Sequence, residues 1–155
     1  MDKIFTEDNY AEMIQKLFHR FPSFQKVGAG AYKPGIANME FADQLMGHPH
    51  RKYKVIHVAG TNGKGSFCSM LDSVLRNAGY KTGLFTSPYI KVFNERMQFC
   101  GENISNEELA EITEYVKPFA DSMEDKPTEF ELITAIGFEF FKRKKCDVVI
   151  LEAGM

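Results

Sequence analysis

Residues 54–78, KVIHVAGTNGKGSFCSMLDSVLRNA, decide the fold. The first six are apolar and β-rich around a single histidine, so they read as a short strand with His57 as a core histidine. Seven residues rich in glycine follow, from Gly60 to Ser66. Phe67, Met70, Leu71, Val74, Leu75 and Ala78 then recur at helical spacing, and Asn77 with Gly79 supplies a stop. Residues 81–86 (KTGLFT) read as a second strand. Strand, loop, helix and strand in that order form a βαβ unit, which predicts a parallel sheet and a right-handed crossover.

The loop is where chemistry is expected. Glycines at 60, 63 and 65 let the backbone turn tightly, so that successive N–H groups point into one concavity. The N-terminus of the following helix adds partial positive charge, and together they make a phosphate cradle. Lys64 would reach the outer phosphates, and the Ser66 hydroxyl would bind a metal ion or a phosphate oxygen. The general phosphate-loop pattern is not met, because Gly65 separates Lys64 from Ser66 and Val58 stands where the first glycine belongs. The competing reading is a glycine-rich turn that binds nothing, and a lysine inside the turn argues against it.

Outward from this unit, the chain alternates elements and stop signals. A helix opens at Thr6 and carries Tyr10, Met13, Ile14, Leu17 and Phe18 on its buried stripe, until Phe21-Pro22 ends it. A loop through Gly28, Gly30, Pro34 and Gly35 leads to a short helix over 38–45, closed by His48-Pro49. Beyond Ser87-Pro88, residues 96–103 predict a short strand or a hairpin. Ser105 with Glu108, and Thr128 with Glu131, are capping boxes that open two further helices. The first has Leu109, Ile112, Tyr115, Val116 and Phe119 on its apolar face, with Pro118 expected to bend or end it. The second carries Phe130, Ile133, Ile136, Phe140 and Phe141, and finishes in a basic turn that suits its dipole. Residues 147–151 (DVVIL) read as a fully buried strand leading into Glu152.

Composition sets the bounds. With 155 residues, 44% hydrophobic and 26% charged, the chain suits one globular domain. A net charge of -2 leaves no electrostatic footprint for nucleic acid or an anionic membrane. No apolar run approaches a membrane span, and the first residues lack an apolar signal region. Three widely spaced cysteines, Cys68, Cys100 and Cys146, fit reduced thiols rather than a disulfide framework or a zinc site. The expected location is the cytoplasm.

The form GTNGKGS preceded by His57-Val58-Ala59 resembles the nucleotide loop of the Mur ligase superfamily, and within it the folylpolyglutamate and dihydrofolate synthases. That family accepts the glycine after the lysine. The resemblance continues through Thr86-Ser87-Pro88-Tyr89-Ile90, Phe93-Asn94-Glu95-Arg96, Phe130-Glu131-Leu132-Ile133-Thr134-Ala135 and Asp147 to Glu152, so it covers nearly the whole chain. It implies an α/β, three-layer P-loop NTPase-like domain with a mainly parallel sheet, the Mur ligase ATP-binding domain.

By the same resemblance, Gly60, Thr61, Asn62, Gly63, Lys64, Gly65 and Ser66 bind ATP, with Lys64 catalytic. Ser66, Ser87 and Glu152 hold Mg2+, and Ser87, Pro88, Asn94, Glu95, Arg96 and Phe130 form the folate side. The implied reaction is ATP-dependent addition of L-glutamate to a folate, or to dihydropteroate, through an acyl phosphate. The family's enzymes are more than twice as long and carry a second, glutamate-binding domain. Residues 1–155 are therefore expected to be the amino-terminal part of a truncated ATP-binding domain, inactive alone and prone to self-association along an exposed sheet edge. The complete enzyme is expected to be monomeric. The rival readings are a cell-wall amino-acid ligase, a small-molecule kinase, and a non-catalytic nucleotide-binding fragment.

Overall fold

The computed structural model describes Tyr10 and residues 35–153; the first predicted helix, apart from Tyr10, and the loop up to Pro34 lie outside the described residues. Among the described residues five strands form one sheet in the order β1-β5-β2-β3-β4: β1 (Lys54–Ala59), β2 (Thr82–Phe85), β3 (Met97–Phe99), β4 (Glu102–Asn103) and β5 (Val148–Ala153). β5 pairs in parallel with both β1 and β2, while β3 runs antiparallel to β2 and β4 antiparallel to β3. The sheet is thus parallel where the predicted βαβ unit sits, and its two strands flank β5 rather than each other. Of the strand or hairpin expected over 96–103, the hairpin forms: it is β3 and β4, joined by Cys100-Gly101.

Alternation along β5 sorts the layers. Ile150 faces one side with Leu84, where helix α2 (Lys64–Asn77) covers it through Cys68, Leu71 and Leu75. Val149 and Leu151 face the other side with Phe85. There α1 (Ala37–Leu45), α3 (Asn106–Ser122) and α4 (Glu129–Arg143) build the larger core. The result is helix, sheet and helix in three layers. Both predicted capping boxes form: the hydroxyls of Ser105 and Thr128 accept from the N–H of Glu108 and Glu131, and those carboxylates accept from the cap N–H groups. Pro118 does not end α3, which runs on to Ser122.

Two glycines allow close packing between α4 and the sheet. A Cβ at Gly83 would lie 2.5 Å from Phe141 Cδ1, and one at Gly137 would lie 3.0 Å from the Phe85 ring. Phe140 and Phe141 are enclosed, each contributing about 1.5–3 kcal/mol by burial. α2 is fixed to β2 by a buried carboxylate. Asp72 accepts from Thr82 Oγ1 at 2.5 Å and from Arg76 Nε at 2.7 Å. A second carboxylate, Asp43 of α1, accepts from His48 Nδ1 at 2.6 Å and His50 Nδ1 at 2.5 Å, tying α1 to the turn that enters β1.

One expectation fails here. His57 is exposed, not a core histidine, because β1 is the margin of the sheet and most of its residues face solvent.

Candidate functional site

The parallel register brings the carboxyl ends of β1, β5 and β2 to one edge, with Ala59 beside Ala153 and Phe85 beside Leu151. The chain leaves β1 into the glycine-rich loop, turns at Gly63 (φ 77°) and enters α2 at Lys64. Loop amides and the first turn of α2 therefore face the edge where an open α/β sheet binds ligands. Lys64 Nζ donates to Gly60 O at 2.6 Å and Thr61 O at 3.3 Å, so the loop's own carbonyls hold the ammonium over the cradle.

Glu152 shares the α2 face with Ile150, two residues before it, and this alternation aims its carboxylate at the start of α2. The carboxylate lies 3.6 Å from the place a Cβ on Gly65 would occupy, and it is 8% exposed. The positive end of the helix favours it there. Its Oε2 accepts the Ser87 N–H at 3.3 Å, joining the β2 exit to the β5 end. One turn into α2, burial raises the pKa of the Cys68 thiol, and Glu152 adds to that while Lys64 opposes it. Among the described residues no group of three or more His, Cys, Asp or Glu is placed to hold a metal ion. A hard cation here would therefore share Glu152 with hydroxyl and phosphate oxygens, the donor set Mg2+ favours.

The segment after Ser87 folds on itself. Glu95 accepts backbone N–H bonds from Ile90 at 2.8 Å, Val92 at 3.1 Å and Lys91 at 3.1 Å. The Ile90 and Val92 bonds lead in lowering its pKa. Arg96 goes the other way, its guanidinium carbon 5.4 Å from the Tyr89 ring centre and 5.6 Å from that of Phe93. Phe130, at the start of α4, is 47% exposed and meets the buried Phe85 edge-on at 6.3 Å.

Comparison with known proteins bears on this site directly. The dihydrofolate synthase/folylpolyglutamate synthase of Bacillus subtilis is 44% identical over 128 residues, which are 79% of this chain and 30% of that protein. The folylpolyglutamate synthase structure from Thermotoga maritima superposes with a TM-score of 0.83 at 34% identity, over 96% of this chain and 34% of that one. A folylpolyglutamate synthase solved with AMPPCP and folate gives 0.83 at 30% identity, over 95% and 35% of the two chains. The chain is a homologue of the folylpolyglutamate and dihydrofolate synthases. It spans about a third of the length of the relatives it matches. No family model matches it.

Against the family's expected site, the structure draws together the loop from Gly60 to Ser66, Ser87 and Glu152. Pro88 lies beside Ser87, exposed, in the turn leaving β2. Asn94 is placed differently from the expectation. It is buried, its Nδ2 donates to Ile104 O at 2.7 Å and Asn106 Oδ1 at 3.0 Å, and its Oδ1 accepts from the Tyr10 hydroxyl at 2.5 Å. Asn94 thus braces the start of α3, and burial raises the Tyr10 pKa to about 12 despite that bond. Glu95 likewise shapes its own loop rather than pairing with Arg96. Sequence reasoning missed Tyr89 and Phe93 as the rings around Arg96. Their spacing at 89, 93 and 96 was the available signal, and it runs from a bend into the single-turn 3-10 helix Phe93–Arg96 rather than along a longer element.

Proposed function

We propose that this chain carries the nucleotide site of an ATP-dependent ligase that joins L-glutamate to a folate, and that residues 1–155 are the amino-terminal part of its ATP-binding domain. The observation that carries the reading is the convergence of the glycine-rich loop, Ser87 and Glu152 on one sheet edge. In this reading the carboxylate of a folate, or of dihydropteroate, attacks the terminal phosphorus of ATP, and the bond to ADP breaks. The amine of glutamate then attacks the acyl phosphate, an amide forms, and phosphate and a proton leave. No protein nucleophile is needed.

The residues have distinct roles. Loop amides and the α2 N-terminus hold the phosphates, and Lys64 exchanges the carbonyls of Gly60 and Thr61 for outer phosphate oxygens, meeting the charge that develops in transfer. Ser66, Ser87 and Glu152 supply oxygen ligands for Mg2+, which when bound would neutralise phosphate charge. Phe130 offers a half-exposed ring to the acceptor. Among the described residues no helix is long and apolar enough to cross a membrane, and a cytoplasmic location belongs to the same reading.

Calorimetric titration with Mg-ATP tests it. The chain should bind saturably, and Lys64→Ala should weaken binding at least about tenfold, since charge-assisted bonds contribute about 1.5–3 kcal/mol. Equal affinity in the variant would refute the role of the loop.

A further inference from the structure

Arg96 is 7% exposed, yet among the described residues its guanidinium is poorly satisfied. Its Nε has no hydrogen-bond partner, and the bond from Nη1 to Ser87 Oγ is long at 3.5 Å. A guanidinium carries five N–H donors, and a buried cation normally finds a carboxylate or a set of carbonyls. Here it lies against the rings of Tyr89 and Phe93, which hold it in place but use no donor. Glu129 acts on it only through space. The guanidinium is thus held in place with donors to spare.

Its place gives the guanidinium a purpose. Ser87, which Nη1 touches, is the residue whose N–H holds Glu152 beside the phosphate loop. On the functional reading above, an acceptor carboxylate must approach a polyphosphate next to Glu152, so three anions gather at one point. Lys64 serves the phosphate side. A second cation is required on the acceptor side.

We propose that Arg96 is the receptor for the acceptor's carboxylate, binding it through the unengaged donors of its guanidinium and orienting it toward the outer phosphate. The proposal rests on the folate-ligase reading. Planar bidentate pairing suits a carboxylate, and lysine would not reproduce it.

The test uses the chain saturated with Mg-AMPPCP, and nucleotide binding of each variant is measured first so that a loss of fold is seen as such. Folic acid should bind at least about tenfold tighter than its dicarboxamide, one charge-assisted pair's worth. Arg96→Gln should abolish that difference, and Arg96→Lys should reduce it. In parallel, the Nε–H resonance of Arg96 should move saturably with glutarate, a bare dicarboxylate, which a purely structural arginine would not show. Equal binding of acid and amide by the unaltered chain, or a difference that survives Arg96→Gln, overturns the proposal and leaves the folate reading standing. Glutarate shifting Arg96 while neither folate compound binds keeps the anion site and defeats the folate reading. An Arg96 resonance unmoved by glutarate and folic acid alike defeats the proposal even if no variant folds.

Discussion

Replacing Gly83 with alanine adds one methyl group where the structure has no room for it. The new carbon would meet Phe141 Cδ1 at 2.5 Å, Phe141 Cε1 at 2.8 Å and Val149 Cγ2 at 3.0 Å. Carbon atoms pack best at about 3.5–4.0 Å, so the ring would have to retreat by about 1 Å. Its retreat is blocked. Phe141 is fully enclosed, with Phe140 at 5.3 Å between ring centres and Tyr53 edge-on at 6.2 Å. Overpacking of this kind costs about 1–3 kcal/mol, and the absence of slack places Gly83→Ala at about 2–3 kcal/mol. For a chain of this size that lowers Tm by about 4–10 °C. Urea denaturation of four proteins forms the assay: the parent, Gly83→Ala, Phe141→Leu and the double variant. Phe141→Leu removes ring atoms and should cost about 1–2 kcal/mol alone. In the double variant the smaller side chain makes way for the methyl group, so the two losses should fall short of additivity by at least about 1 kcal/mol. Additive losses, or a Gly83→Ala chain as stable as the parent, would refute the argument that this glycine exists to admit the ring.

Two further outcomes follow from the buried carboxylates. Thr82→Val leaves Asp72 with Arg76 as its side-chain partner and should cost about 1–3 kcal/mol, read by the same denaturation and by faster amide exchange in α2. For Asp43, burial acts to raise the pKa, but the hydrogen bonds and charges of His48 and His50 outweigh it and leave it lowered. A folded-state pKa below the unfolded value of about 3.9 favours the ionised form on folding. Its contribution is therefore complete above that pH and disappears as pH falls through the folded value. The Tm difference between the parent and Asp43→Asn should be at its full value near pH 5 and shrink below about pH 4. A difference that stays flat down to pH 2 would show that the carboxylate's charge plays no part.

What the sequence disclosed is what local chemistry decides. Ser105 with Glu108 and Thr128 with Glu131 mark helix starts because each box satisfies its own donors, whatever surrounds it. The glycine-rich loop stood out because glycine spacing and a lysine between strand and helix have few uses other than holding phosphate. Lateral order was not legible. Nothing in the Lys54–Ala59 run says which neighbours it will have, so its place at the margin, and the exposure of His57 with it, came from tertiary arrangement. The Arg96 site was half visible. Its residues lay within a recognised segment, but a cation between two rings across a bend and one 3-10 turn has too short a period to announce it. Asn94 shows the converse: a residue placed by resemblance on the ligand side is engaged in bracing α3.

The position of β5 bears on how the chain acquires its shape. β1 and β2 flank it and do not touch each other, so neither has a parallel partner until Val148–Ala153 arrives. That strand is the last described element to be synthesised, and its pairing with β1 closes a loop of nearly the whole described chain. Contacts of such long range are slow to form. Until they do, the loop from Gly60 to Ser66 has a helix behind it and no sheet beneath it, and Glu152 is not yet beside it. On the nucleotide-site reading, assembly of the sheet and readiness for nucleotide are therefore one kinetic event: a nascent chain should not retain nucleotide until β5 has left the ribosome.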